Sequence, residues 1–231
     1  MSSLKILSGG AAQGLVSQLQ DRFFSESGRA IEGTFGAVGL MRDKLLAGEP
    51  CDVLILTQAL IDQLTASGHV VAGSARPVGV VKTGIAVKTG EPAPDVGNPA
   101  ALKAALLAAR GIYFPDPLKA TAGIHFMKVL QQLGIADDVA AFLRPFPNGN
   151  AAMSALAQAG EHGLIGCTQV TEILYTPGVQ LVARLPKEFE LATVYTAAVC
   201  AKAEQPQAAA MLIDMLVSPQ AAEIRRTGGF E

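Results

Sequence analysis

The sequence predicts an α/β protein with mostly parallel sheets and flanking helices, on three observations. Strand-like and helix-like patterns alternate from one end of the chain to the other. Asp52-Val53-Leu54-Ile55-Leu56 is a continuous apolar run, the pattern of a strand buried on both faces. Two early strands end in small-residue turns that lead straight into helix patterns, Ser8-Gly9-Gly10-Ala11 and Gly36-Ala37-Val38-Gly39.

Each element follows from its local pattern. Residues 4–8 read as the first strand and 11–27 as the first helix, where Leu15, Leu19 and Phe23 recur every fourth residue. Ile31-Glu32-Gly33-Thr34-Phe35 is the second strand, and the helix after it carries Leu40, Leu45 and Leu46. Residues 52–56 form the third strand, followed by a helix through Leu60, Ile61 and Leu64 that ends near Gly68. Val78–Val87 is a longer extended run, and the Pro/Gly-rich loop after it is a natural place for the chain to change lobes. Pro99 opens a helix over 98–110, Gly111–Phe114 is a strand, and 122–133 is helical up to Gly134. A short helix over 151–159, a short strand over 164–167 and an extended run over 195–201 follow. The last helix spans about 206–217, with Ala208, Met211, Leu212, Met215 and Leu216 on one face and Pro219 as its stop.

At 231 residues the chain fits one large domain or two small lobes. Half of it is hydrophobic and 16% is charged, enough apolar material for a buried core. A formal net charge of −2, no Lys/Arg cluster and 5% aromatics argue against nucleic-acid binding. Cys51, Cys167 and Cys200 are odd in number and far apart, with no His at metal spacing, which argues against a disulfide framework, a zinc site or any resident cofactor or metal. Cys51 and Cys200 read as small core residues and point to a reduced compartment. No apolar stretch has the length of a membrane helix, so no membrane insertion is expected. Met1-Ser2-Ser3 leads into the first strand without a basic n-region. That reads as a cytoplasmic chain, or a periplasmic one whose export signal has been removed.

Ser8-Gly9-Gly10-Ala11, Phe35-Gly36-Ala37-Val38-Gly39 and Leu46-Ala47-Gly48-Glu49-Pro50-Cys51-Asp52-Val53, in that order, resemble the type II periplasmic solute-binding proteins. The molybdate-binding branch is the nearest match. The similarity continues through Asp116-Pro117, Thr121-Ala122-Gly123 and Gly160-Glu161 to Leu216-Val217-Ser218-Pro219-Gln220-Ala221-Ala222, and covers essentially the whole chain. The resemblance implies a Venus-flytrap fold with residues 1–80 and 196–231 in lobe one, 81–195 in lobe two, and a small anion in the cleft between them. It also implies an ABC permease as partner where the chain is exported. Molybdate binders resemble one another in serines at the first two turns. Here the first turn keeps Ser8 and the second has no hydroxyl. Backbone N–H donors with Gln, Asn and Thr side chains suit a planar carboxylate at least as well, so a di- or tricarboxylate is expected ahead of molybdate. The same branch includes aconitate-isomerase-like enzymes, and the chain resembles these in lacking the second serine and in carrying Gly123-Ile124-His125-Phe126.

The candidate ligand residues are Ser8, Gly9, Gly10 and Ala11 at the first turn, and Phe35, Gly36, Ala37 and Val38 at the second. Exposed N–H groups at a helix start favour an anion, and small residues let it approach. Thr57 follows a buried strand at its carboxyl end, where α/β sheets place ligands, or is a plain helix cap. Thr121, Ala122 and Gly123 start a further helix, with Thr121 as its cap, and Asp116 reads as a turn-stabilising residue. Asn148, Asn150, Thr168 and Gln169 lie on two segments that read as loops. His125 and Glu172 are the candidate proton carriers. Their ordinary alternatives are a structural histidine in the first turns of a helix and a solvated or salt-bridged glutamate. A P-loop, a dinucleotide fingerprint and a Ser/His/Asp order are all missing.

Overall fold

Apolar runs become strands and the periodic segments between them become helices. The computed structural model describes residues 3–231; the N-terminal reading begins at Met1 and Ser2, which lie outside the described residues. The chain divides into two compact α/β units, one holding residues up to Val81 with Thr193–Glu231, the other Lys82–Ala192.

The first unit opens with β1 (Leu4–Gly9), a 3-10 turn and α1 (Gln13–Ser27). It continues with β2 (Ile31–Gly36), α2 (Val38–Leu46), β3 (Val53–Thr57) and α3 (Gln58–Ala66). The chain leaves through β4 (Arg76–Lys88). The second unit holds α4 (Pro99–Ala108), β5 (Gly111–Pro115), α5 (Thr121–Gln132), β6 (Leu143–Phe146), α6 (Gly149–Gln158), β7 (Leu164–Gln169), α7 (Val170–Tyr175) and β8 (Val179–Arg184). The chain returns to the first unit in β9 (Ala192–Val199), α8 (Pro206–Val217) and α9 (Ala222–Thr227).

In the first unit β1 pairs in parallel with β2 and β3, and β9 adds antiparallel to β3. In the second, β5 pairs in parallel with β6 and β7, and β4 runs antiparallel to β7 and β8. Parallel strands are covered on both faces, which is why Val53, Leu54, Ile55 and Leu56 are all fully buried. Leu15, Val16, Leu19 and Phe23 of α1 share that core with Leu212, Ile213 and Leu216 of α8. The second core gathers Ile112, Phe114, Phe126, Val129, Leu130 and Ile165, with the two phenylalanine rings 5.5 Å apart.

Several expectations need correction. The segments at 148–150 and 168–172 are not loops: the first starts α6, and the second ends β7 and enters α7. Ala120, not Thr121, holds the N-cap of α5, and Thr121 is the first helical residue. The helix over 206–217 is not the last, because Ser218 caps a turn that leads into α9. The strand β6 escaped sequence reading because Pro145 breaks its pattern; it is tolerated because β6 lies at the sheet edge.

Asp52, almost fully buried at the start of β3, ties three elements of the first unit together. Its carboxylate accepts N–H bonds from Lys5 (2.8 Å) and from Gln205 at the start of α8 (2.9 Å), while its carbonyl accepts from Cys200 (3.0 Å). Replacing it with alanine strands two buried donors, so Asp52→Ala is expected to cost about 2–4 kcal/mol in urea unfolding. A loss under 1 kcal/mol, on the order of one ordinary hydrogen bond, would show that the donors find other partners.

Candidate functional site

Because β1, β2 and β3 are parallel, their carboxyl ends share one edge of the sheet. The register places Ser8 beside Phe35 and Ile55, and Gly9 beside Gly36. The structure therefore brings the first turn, the second turn and Thr57 together in the first unit. Gly9, Ala37 and Thr57 are the N-cap residues of the helical segments that begin here, and none of them makes a side-chain cap. The first N–H groups of each segment, including those of Gly10, Ala11 and Val38, have no carbonyl to bond within the helix. Ser8 is fully buried and its hydroxyl donates to the Gly9 carbonyl at 2.9 Å. A Cβ on Gly9 would stand 2.8 Å from Val38 and 2.9 Å from the Tyr195 ring, so only glycine lets that buried tyrosine reach the turn. Tyr195 lies opposite Thr57 on β9, a pairing across 138 positions that no local pattern signals.

The second unit repeats the arrangement at the carboxyl ends of β5, β6 and β7. Asp116 is the turn residue expected: its carboxylate accepts the N–H groups of Leu118 (2.7 Å) and Lys119 (2.9 Å). Thr121, Ala122 and Gly123 form the first turn of α5, whose N-cap Ala120 makes no side-chain cap. A Cβ on Gly123 would fall 2.3 Å from the carbonyl oxygens of Pro115 and Asp116, so glycine sets how closely α5 approaches the end of β5.

The start of α6 differs, because the chain fills it. Asn148 accepts from the Ala151 N–H at 2.8 Å, and the Asn150 amide lies 3.4 Å from the Thr176 hydroxyl. The buried Glu172 carboxylate accepts the Thr168 hydroxyl at 2.6 Å and the backbone N–H groups of Gln169, Gly149 and Asn150. A Cβ on Gly149 would occupy the position of this carboxylate. Burial pushes Glu172 up to about 7, against the downward pull of those four hydrogen bonds. Neither a solvated nor a salt-bridged glutamate describes it.

His125, half-buried on α5, holds its Nε2 2.8 Å from the Phe189 carbonyl; a carbonyl only accepts, so Nε2 carries the proton and donates. His125 and Glu172 share a unit but have separate partners. Lys82 lies 3.0 Å from Glu190.

Gln169, the N-cap of α7, is almost fully buried, and neither its amide nitrogen nor its amide oxygen has a hydrogen-bond partner. Its register partner on β4 is Thr83, whose hydroxyl is likewise buried and unpartnered, as is that of Thr171, the second residue of α7. Thr83 was not legible as a site residue, since it sits in a long extended run with no motif around it; Thr171 belongs to the 168–172 segment read as a loop, without a role of its own. Among the described residues no three of His, Cys, Asp and Glu come together as a metal site. No helix there is long and apolar enough to cross a membrane.

Two α/β units, each with uncapped helix starts at the carboxyl ends of parallel strands, define the class of two-lobed α/β binding proteins. The sequence matches the bacterial extracellular solute-binding proteins over residues 4–231, and the chain belongs to that family. It is 26% identical over 239 residues to an aconitate isomerase from Pseudomonas sp, covering all of this chain and 88% of the relative. Its fold is that of the Azotobacter vinelandii periplasmic molybdate-binding protein, at 20% identity with a TM-score of 0.82 over 99% of both chains. It is also similar to the sulfate-binding protein SubI from Mycobacterium tuberculosis H37Rv, at 17% identity and a TM-score of 0.77 over all of this chain and 86% of the other. The two-lobed type II fold and the family expected from the sequence are both present.

Two measurements test this geometry. Gly123→Ala must push α5 away from β5 and is expected to cost about 2–3 kcal/mol, more than an ordinary helix Gly→Ala change, which stabilises. A thermal melt at or above the parent value would contradict the close approach. Glu172 has a folded pKa near 7 against an ordinary value of 4.5. The raised value makes its contribution full below pH 4.5 and lost as pH rises through 7, a difference on the order of 3 kcal/mol. Urea unfolding at pH 5 and pH 8 should show this decline, and Glu172→Gln should flatten it. An unchanged slope in the variant would assign the decline to other groups.

Proposed function

We propose that the chain binds a small anion, a di- or tricarboxylate ahead of a tetrahedral oxyanion, through the helix starts at Ser8–Ala11, Phe35–Val38 and Thr121–Gly123 and through Gln169. The observation that carries this reading is the buried Gln169 amide, with a donor and an acceptor both unpartnered. An unmade buried hydrogen bond costs about 1–3 kcal/mol, so the pair favours a ligand that accepts at Nε2 and donates at Oε1. An ionised carboxylate does the first, and a hydroxyl or protonated carboxyl on the same molecule does the second. A fully ionised tetrahedral oxyanion only accepts. The second turn, Gly36-Ala37-Val38, adds N–H groups without a hydroxyl, which supports the same preference.

A thermal-shift series with citrate, cis-aconitate, trans-aconitate, molybdate, tungstate and sulfate tests it. A ligand at 100 times its Kd adds about 2.7 kcal/mol of stability. Carboxylates are expected to raise Tm, and Gln169→Leu is expected to weaken that shift while raising the stability of the unliganded chain. Shifts confined to the tetrahedral ions would overturn the choice.

A second reading is favoured by the aconitate isomerase relative and by Glu172. An allylic proton shift on an unsaturated polycarboxylate needs a group that gives and takes a proton near neutral pH. Glu172 near 7 and His125 are the groups proposed for it, with helix-start N–H groups to stabilise the enolate-like charge. Incubation with cis- and trans-aconitate in D2O, followed by NMR, separates the two readings. Deuterium uptake and interconversion lost in His125→Ala or Glu172→Gln support the isomerase; binding without either supports the binder. The partner and compartment follow the outcome: an ABC permease met in the periplasm for the binder, the cytoplasm for the isomerase.

A further inference from the structure

The thiols of Cys51 and Cys200 meet in the core of the first unit, although 149 positions separate them. Cys51 sits in the turn between α2 and β3, and Cys200 directly follows β9. The ladder that pairs Val53 with Val199 continues one step outward, through the Cys200 N–H to the Asp52 carbonyl. That step brings the two sulfurs to 3.2 Å, with the Cys200 thiol donating to Cys51 Sγ, and the Cys51 thiol donating to the Val53 carbonyl at 3.1 Å. Both residues are buried, yet both line one cavity of about 150 Å³ along with Leu45, Pro50, His69 and Lys202.

We propose that Cys51 and Cys200 are a redox site, closed into an intramolecular disulfide by a small organic disulfide that enters this cavity. A disulfide bond is about 2.05 Å long, so the sulfurs need close by little more than 1 Å, within reach of side-chain rotation. Cys51 is the attacking group, because its sulfur accepts the hydrogen bond from Cys200. It releases its proton and attacks one sulfur of the oxidant; the oxidant's S–S bond breaks and the first thiol leaves, taking up a proton. Cys200 then loses its proton and attacks the Cys51 sulfur of the mixed disulfide, expelling the second thiol. The two cysteines together give up two electrons and two protons, and the oxidant becomes two thiols.

The environment makes this reaction slow and selective. The Cys200 thiol is pushed well above its ordinary range by its hydrogen bond to Cys51, by burial and by the nearby Asp52 carboxylate. Cys167, fully buried in the other unit, is pushed up by burial alone. The bond would tie the returning C-terminal segment to the turn before β3, closing a loop of 149 positions. It lies at the amino end of β3, whereas Thr57 stands at the carboxyl end, so the outcome does not depend on any ligand.

The test uses the full chain and 2-hydroxyethyl disulfide under native conditions, with acid quenching and non-reducing peptide mapping. The expected product has lost two hydrogens in intact mass and links the Cys51 and Cys200 peptides. Its Tm should rise by roughly 5–15 °C and fall back on adding dithiothreitol. Cys167→Ser should keep both effects; Cys51→Ser and Cys200→Ser should lose both. An unreacted chain, mixed-disulfide adducts without a link, a link that uses Cys167, or a linked product with no gain in Tm would each overturn the proposal. The mapping of the unmutated chain decides the matter even where a serine variant fails to fold.

Discussion

Parallel pairing of β1, β2 and β3 in one unit, and of β5, β6 and β7 in the other, is the constraint from which the rest of the structure follows. Parallel neighbours cannot be joined by a hairpin; each needs a crossover, here a helix, to bring the chain back. Every crossover helix therefore starts at a strand's carboxyl end, and all these starts fall on one edge of their sheet. The N–H groups and the positive ends of the helix dipoles accumulate there without any basic side chain. An acidic chain can present an anion-favouring edge in this way, because the relevant charge belongs to the backbone.

How the helix starts are satisfied differs between the two edges. The helices α4 and α8 follow antiparallel strands and begin at the opposite edge, where the chain completes them: Asn98 caps α4, and Asp52 takes the Gln205 N–H at α8. At the candidate edge of the first unit the N-cap positions hold Gly9 and Ala37, which have nothing to cap with, and Thr57, which does not cap; at that of the second they hold Ala120 and Gln169, likewise without a side-chain cap. The exception is α6, where the chain has placed its own anion, Glu172. Gly149 makes room for it, since any larger residue would displace the carboxylate. The N-terminus of α6 is thus occupied by the protein's own carboxyl group.

Much of this was legible in the sequence. The strands 4–8, 31–35 and 52–56 declared themselves by apolar runs bounded by small residues, and β1, β2 and β3 follow them closely. So did the longer helices, whose apolar period survives over three turns or more. The short elements β6, α7 and α9 were not legible: β6 carries a proline, and α7 and α9 are too short to show a period. Among candidate residues, the turn glycines and Gln169 could be named because they sit at strand ends. Thr83 and Tyr195 could not, because their significance comes from partners across the sheet. The Cys51–Cys200 contact is of the same kind. Each sequence context says only that the residue is buried, and the antiparallel return of β9 makes them neighbours.

The unsatisfied groups also bear on why the site is built as it is. A missing side-chain cap costs about 1 kcal/mol, and a buried unpartnered polar group about 1–3. Gly9, Ala37, Ala120, Gln169, Thr83 and Thr171 place such penalties at the helix starts and strand ends of their units, while Thr193 and Gln205 carry two more buried unpartnered atoms away from them. Elsewhere each unit keeps the ordinary rules of apolar cores and glycines at turns. Natural chains break such rules where function requires it and compensate in the rest of the fold. A ligand that satisfied these groups would gain interactions absent from the unliganded chain, and its binding would stabilise the folded state. The same accounting explains why Glu172 sits apart. Its bonds are already made, so that start of α6 contributes order, and its raised pKa places the titration of the carboxyl group that joins α6 to α7 within the neutral range. In the proposed binding reading, affinity and titration fall to different helix starts of one unit, the first to Gln169 and its neighbours and the second to Glu172.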